Sequence, residues 1–383
     1  MKQDLRNRIR ERRDQIRADL DLAVRRMAAA FGRPRGWRGP AALAGLAAAA
    51  IVAAVLVSDS AGLPRRLQPA PAPAGPNIIG YFENGWSKIF TDSFPSLVNH
   101  PKVVDTVLAY WYSVDGSGGL REPAGPPRPE VIQYVKSHGM LMGVLINNLG
   151  SNMVSIPSVR SRAIRNIVAI ARTNGYQEIH IDFELLPRSL RTDLTTFIAD
   201  LRKALPPSVK LSMSVFPKVG VPASIYGVYD YQALAKYVDY EVVMLYDNHS
   251  SGGPAGPVSP WPWVQQNVAY FRSILPGNKI VIAAGVYGYD WPVGSTNAAE
   301  YPLDYITKLA AREKATIRTD PVSQNPYFRY TDSSGSRHIV WYQNSATVRQ
   351  RIDLVVKDHL GGIAIWTLGQ ADRRVWQVLE KAK

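Results

Sequence analysis

From residue 77 onward, apolar runs alternate with amphipathic segments, and this alternation constrains the fold more than any other feature of the chain. The runs are "NIIGYF", "DTVLAYWYSV", "LMGVLINN", "EIHIDFE", "KLSMSVFP", "YEVVMLYD", "KIVIAAGVYGY" and "GGIAIWTLG", eight in all. Between them lie helical patterns such as "RPEVIQYVKSHG", "RSRAIRNIVAIARTNG" and "LTTFIADLRKALP", several closed by Gly or Pro. Eight strands alternating with helices point to the α/β class and a (β/α)8 barrel, which takes about 250 residues plus insertions. A doubly wound open sheet is the alternative; it calls for a phosphate-binding glycine fingerprint after the first strand, and "GYFENGW" is not one. The surplus after the seventh strand, about residues 292–346, reads as a small β-rich insertion in a domain spanning 77–383.

In such a barrel the chemistry belongs at the C-terminal ends of the strands. Those ends are rich in aromatics, amides and acids: "FENGW", "YWYSVDG", "INNLG", "DFELLP", "YDNHSSGGP", "YGYDWP" and "WTLGQAD". Aromatic rings suit the flat apolar faces of sugar rings, while amides and carboxylates suit hydroxyl groups. Trp86, Trp111, Trp291 and Trp366 each fall near a predicted strand end, so together they suggest a carbohydrate cleft, although a single Trp is more often core. Tyr81, Asn147 and Tyr287 join the candidate contacts.

The densest chemistry lies in "EIHIDFELLP", Glu178 to Pro187. Side chains two apart on a strand share a face, so His180, Asp182 and Glu184 point inward while Ile179, Ile181 and Phe183 pack on helices. An inward titratable trio is costly to bury. It is either a hydrogen-bonded core cluster or a site in which crowding raises a carboxyl pKa and keeps a general acid protonated.

At this point "YQEIHIDFELLP" resembles the DxxDxDxE signature of family 18 glycoside hydrolases, the chitinase-like barrel enzymes, and more closely their spore-coat or cortex-lytic bacterial branch. The similarity continues through "IIGYFENGW", "YSVDGSGGL", "YEVVMLYDNHSSGGP", "AAGVYGYDWP" and "GGIAIWTLG". The resemblance implies that Glu184 protonates the glycosidic oxygen and Asp182 holds the substrate's N-acetyl group. It further implies that Tyr246 hydrogen-bonds the acetamido oxygen, with Asp247 beside it, and that Trp366 floors the reacting sugar. In that chemistry the substrate's own acetamide attacks the anomeric carbon, an exception to the two-carboxylate scheme. Three positions depart from the pattern: Gln177 stands where the family has its first Asp, Glu178 where it often has Gly, and His180 where the second Asp or an Asn commonly sits. A neutral His180 could still donate a hydrogen bond to support Asp182, whereas a protonated one would favour its ionised form.

The first eighty residues place the domain. "PAALAGLAAAAIVAAVLV", within 40–58, carries no charge and is near the lower limit for a bilayer-spanning helix. Arg33, Arg35 and Arg38 precede it, which predicts a single-pass anchor with a cytoplasmic N-terminus and a periplasmic or extracellular catalytic domain. A cleavable signal peptide ending near "SDSAG" is the competing reading. Residues 1–39 draw one apolar stripe along a basic helix, a candidate for a cytoplasmic partner, and 59–76 is a Pro/Ala-rich spacer.

The formal net charge of +14 is concentrated early: residues 1–38 hold twelve Lys or Arg against five Asp or Glu. No basic stripe interleaved with aromatics follows, which argues against nucleic acid as a partner. The chain has no cysteine, so thiolate chemistry is excluded. No metal or cofactor is implied. The expected substrate is a β-linked, N-acetylglucosamine-containing polysaccharide, peptidoglycan before chitin. The alternatives are an acetamido exopolysaccharide as substrate and a non-catalytic glycan-binding scaffold.

Overall fold

The computed structural model describes residues 75–85, 87, 90–148 and 152–383. The basic helix, the apolar run at 40–58, most of the spacer and Trp86 lie outside the described residues. Among the described residues no helix is long and apolar enough to cross a membrane.

In chain order the first strands are β1 (Ile78–Phe82), β2 (Thr106–Val114), the short β3 (Leu120–Arg121), β4 (Leu141–Asn147) and β5 (Glu178–Asp182). They are followed by β6 (Lys210–Val215), β7 (Tyr240–Met244), β8 (Ile280–Gly285), the insertion strands β9 to β13, and β14 (Gly362–Trp366). Apart from β3 and the insertion these strands are parallel. β1 pairs with β14 on one side and β2 on the other, which closes an eight-stranded barrel. Closure leaves no unpaired edge, so long apolar strands are safe from edge-to-edge association.

Strand alternation sorts the side chains into two cores. Inside the barrel, Ile79, Tyr81, Leu108, Leu145, Val242 and Ala364 pack together. Outside, Ile78, Val107, Ile179, Ile181 and Phe183 pack against the helices. The helix Pro157–Asn174 shows the local logic: Pro at its start lacks an N–H that would otherwise be unpaired, and Gly175 ends it at φ 61°.

The seventh predicted strand breaks in two. After β8 the chain passes through Val286 and begins a separate antiparallel sheet, so the insertion starts at Tyr287 rather than near residue 292. Its strands are β9 (Tyr287–Pro292), β10 (Ala299–Pro302), β11 (Arg318–Thr319), β12 (Pro326–Thr331) and β13 (Arg337–Tyr342), in the order β10-β9-β13-β12-β11, with a helix at Leu303–Arg312. The unbroken apolar reading hid the change of sheet. Gly288 permits it, because a Cβ there would lie 2.3 Å from the Cβ of Tyr342.

Both ends of the domain meet at the lower, N-terminal end of the barrel. Asn77 accepts a hydrogen bond from the Ile363 amide at 2.9 Å. Lys383 pairs with Asp105 and donates to the Pro76 carbonyl at 3.3 Å.

Phe183, between Asp182 and Glu184, is buried and stacks on Phe197 with ring centroids 5.1 Å apart. Phe183→Ala is expected to destabilise the domain by about 3–5 kcal/mol through lost burial and a residual cavity, read as a lowered urea midpoint with unchanged m-value.

Candidate active site

A cavity of about 210 Å³ opens at the C-terminal end of the barrel, and seven of the expected site residues line it: Tyr81, Asp182, Glu184, Tyr246, Asp247, Tyr287 and Trp366. Asp182 ends β5 and is buried; Glu184, two residues on, is partly exposed. Asn148 clamps the backbone there, its Oδ1 accepting from the Glu184 amide at 3.1 Å and its Nδ2 donating to the Glu184 carbonyl at 3.0 Å. Tyr229 adds a third restraint by donating to the Phe183 carbonyl at 2.8 Å. The acid is therefore held by its main chain while its carboxyl reaches the cavity.

Burial pushes the Asp182 carboxyl up to about 6, against hydrogen bonds from Ser214 and Glu184 that favour the ionised form. Glu184 is raised much further, first by burial and then by the neighbouring charges of Asp182 and Asp247. Two carboxyls in one partly buried cavity do not both ionise readily, and the larger upward shift at Glu184 favours the proton there over Asp182. That is the protonation a general acid requires near neutral pH.

Asp247 accepts hydrogen bonds from the hydroxyls of Tyr287 at 2.6 Å and Tyr289 at 3.0 Å. Trp366 ends β14 and stands edge-on to Tyr81 with centroids 5.2 Å apart. Tyr246 makes a similar contact with Tyr287 at 6.1 Å, and burial holds its hydroxyl protonated.

Four expected contacts lie elsewhere. Trp111 is buried with Phe82 on the outer face and donates from Nε1 to Asn84 at 2.9 Å; it shares the parity of Val107 and Ala109. Trp291 shares the parity of Tyr287 and Tyr289 but lies further along β9, buried in the insertion and donating to the Gly253 carbonyl at 3.2 Å. Asn147 sits across from Asp182 in register and donates to the Tyr110 hydroxyl at 2.8 Å. His180 lies one layer beneath Asp182, fully buried. Burial pushes its imidazole down to about 3, so the ring is neutral and the protonated alternative does not hold.

The cavity also recruits residues that the sequence did not single out, among them Ser214, Phe216, Met244 and Glu300. Ser214 shares the inward parity of Ser212 and was in principle legible. Glu300 comes from β10, and nothing local in "AAEYP" marks it. Gln370 donates to it at 3.4 Å, and burial, followed by the charge of Asp247, raises its carboxyl to about 7.

Comparison with known proteins gives the family. Residues 148–371, more than half of the chain, match the model of glycosyl hydrolases family 18. The chain belongs to this family. The cortical fragment-lytic enzyme of Bacillus subtilis is 30% identical over 287 residues, covering 71% of this chain and 66% of that protein. Among solved structures, the Chromobacterium violaceum chitinase superposes with TM-score 0.74 at 25% identity, covering 80% of this chain and 98% of that one. The Bacillus megaterium spore cortex-lytic enzyme SleL gives TM-score 0.72 at 25% identity, covering 82% and 75%. As a family 18 member the protein is a glycosidase.

The charge of Asp247 helps keep Glu184 protonated, so removing it lowers the Glu184 pKa. Asp247→Asn is expected to move the alkaline limb of kcat/KM to lower pH, with the acidic limb much less affected. A pH-rate series on a soluble chitooligosaccharide checks this.

Proposed function

We propose that this glycosidase cleaves β-linked, N-acetylglucosamine-containing glycan, peptidoglycan before chitin, by a substrate-assisted retaining mechanism with Glu184 as general acid. The observation that carries the reading is the placement of Glu184 above buried Asp182 in a cavity shared with Tyr246 and Trp366, where burial and neighbouring charge raise the Glu184 carboxyl pKa. Trp366 floors the reacting sugar, and the Tyr246 hydroxyl donates to its acetamido oxygen. That oxygen attacks the anomeric carbon as Glu184 gives its proton to the leaving glycosidic oxygen. Ionised Asp182 stabilises the positive charge that develops on the acetamide. Glu184, now a carboxylate, then takes a proton from the water that opens the cyclic intermediate, which restores both the acid and the acetamide.

The preference for peptidoglycan is supported by the relatives named for cortical fragment and spore cortex lysis, and by the apolar run at 40–58. We read that run as an uncleaved anchor that keeps the domain outside the cytoplasm and near the wall.

Glu184→Gln is expected to lose about 10²–10⁴-fold in kcat on both purified peptidoglycan and chitooligosaccharides, measured as new reducing ends. Equal release by wild type and variant would remove Glu184 from its role. For the anchor, the intact N-terminus should be found in carbonate-washed membranes; an N-terminus near Ala61 would establish cleavage instead.

A further inference from the structure

Beneath the carboxyls of Asp182 and Glu184 the barrel interior holds a hydrogen-bonded column that includes two of the positions, Glu178 and His180, at which this chain departs from the family pattern. Glu178, at the bottom, is fully buried, and its Oε1 accepts from the hydroxyls of both Ser212 and Tyr240. Space for it comes from β4, where Gly143 pairs in register with Glu178 and a Cβ would lie 2.9 Å from the Glu178 Cβ.

Two hydroxyl donors occupy Oε1, so a proton on this buried carboxyl belongs on Oε2, which has no hydrogen-bond partner among the described residues. Ser212 has one hydrogen and commits it to Glu178. Toward His180 Nδ1, 2.8 Å away, Ser212 can then only accept. The ring hydrogen is therefore on Nδ1 and the lone pair on Nε2. That lone pair faces Ser214 Oγ at 2.8 Å and the Tyr81 hydroxyl at 3.1 Å. Ser214 lines the cavity with Asp182, one position beyond the Ile181–Met213 register pair, and its hydroxyl acts on the Asp182 carboxyl in the sense that favours the ionised form.

We propose that Glu178 and Ser212 fix the tautomer of His180 so that its Nε2 lone pair serves as the resting place for the Ser214 hydrogen, making Ser214 a two-position switch beneath Asp182. With Asp182 ionised, Ser214 donates to the carboxylate and Tyr81 donates to Nε2. With Asp182 protonated, the carboxyl donates to Ser214, and Ser214 donates to Nε2. In the second state the Tyr81 hydroxyl turns to Ser214 Oγ, 3.4 Å away, and the His180 ring is neutral in both. An acid at position 180 would have placed a second titrating carboxyl there. Glu178, Ser212 and His180 are positioning residues in this scheme, which rests on the proposed role of Asp182.

The surrounding groups are compatible with it. From above, Asp182 and Asp247 are the charged groups that act on Glu184. From below, Lys210 and Asp239 act on Glu178 with opposite signs. The remaining titratable groups turned toward the column are tyrosines, namely Tyr81, Tyr240 and Tyr246 from β1 and the β7 region, with Tyr110 from β2 and Tyr229 behind Phe183. Burial keeps their hydroxyls protonated.

The test is ¹⁵N-histidine NMR on the full-length protein, with His180→Asn identifying one signal set among the six histidines. The expected result is a neutral ring with its hydrogen on Nδ1 across about pH 5–9. Its Nε2 signal should move as Asp182 titrates and stay flat in Asp182→Asn. Ser212→Ala should release the tautomer toward Nε2–H, deprive protonated Asp182 of its acceptor chain, and move the acidic limb of kcat/KM down by about half a pH unit or more. Ser212→Thr, which keeps the hydroxyl, should restore both readouts. Hydrogen on Nε2 in the wild type, an imidazolium near neutrality, or an Nε2 signal indifferent to Asp182 would overturn the switch. These wild-type readouts need neither turnover nor a folded Ser212→Ala. Failure of the proposed general-acid mechanism would appear separately, as activity in Glu184→Gln equal to that of the wild type.

Discussion

Asp182, Glu184, Asp247 and Glu300 converge on one cavity, and no Lys or Arg lines it among the described residues. That single condition governs the site. Carboxyls drawn this close and partly removed from water cannot all carry charge, so protons take the place of counterions. The donors that surround them are neutral hydroxyls and amides: Tyr287 and Tyr289 on Asp247, Ser214 on Asp182, Gln370 on Glu300. A cation at any of these places would pull a carboxyl back toward its ordinary range and leave the acid ionised. The neutral imidazole beneath Asp182 follows the same rule, because burial denies it a proton.

The two-residue period of β5 was enough to place His180, Asp182 and Glu184 inward, since side-chain direction on a strand depends on parity alone. The same parity argument puts Trp111 outside with Val107 and Ala109, and it outweighs the attraction of an aromatic ring near a strand end. Trp291 was beyond such reasoning, because its location depends on where the barrel strand stops and the insertion sheet starts. The run "KIVIAAGVYGY" has no polar break at Val286 to show it. Glu300 was similarly hidden: only the return of β10 alongside β9 brings it to the cavity. The charge state of His180 depended on hydroxyls supplied by β6, which no local pattern reveals.

The insertion is thus part of the site. Tyr287 and Tyr289 on β9 hold Asp247, whose own backbone sits at φ 55°, and β10 delivers Glu300. Because β9 continues directly from β8, the insertion takes its orientation from the barrel itself, and β9 follows β8 after a single residue. The register of β8 with β14 therefore sets where the tyrosine pair falls relative to Trp366, which ends that neighbouring strand.

The attachment of the domain to whatever precedes it has a mechanical consequence. The chain enters at Asn77, bonded to β14 and beside the clamp formed by Lys383, Pro76 and Asp105, at the end of the barrel away from the acids. A load applied at Asn77 runs into β1 along its length, where it is paired on both sides, and bypasses the strand ends that carry Glu184, Tyr246 and Trp366. The cavity and the chain's point of entry therefore lie at opposite ends of the barrel, so strain at one end is kept from the other.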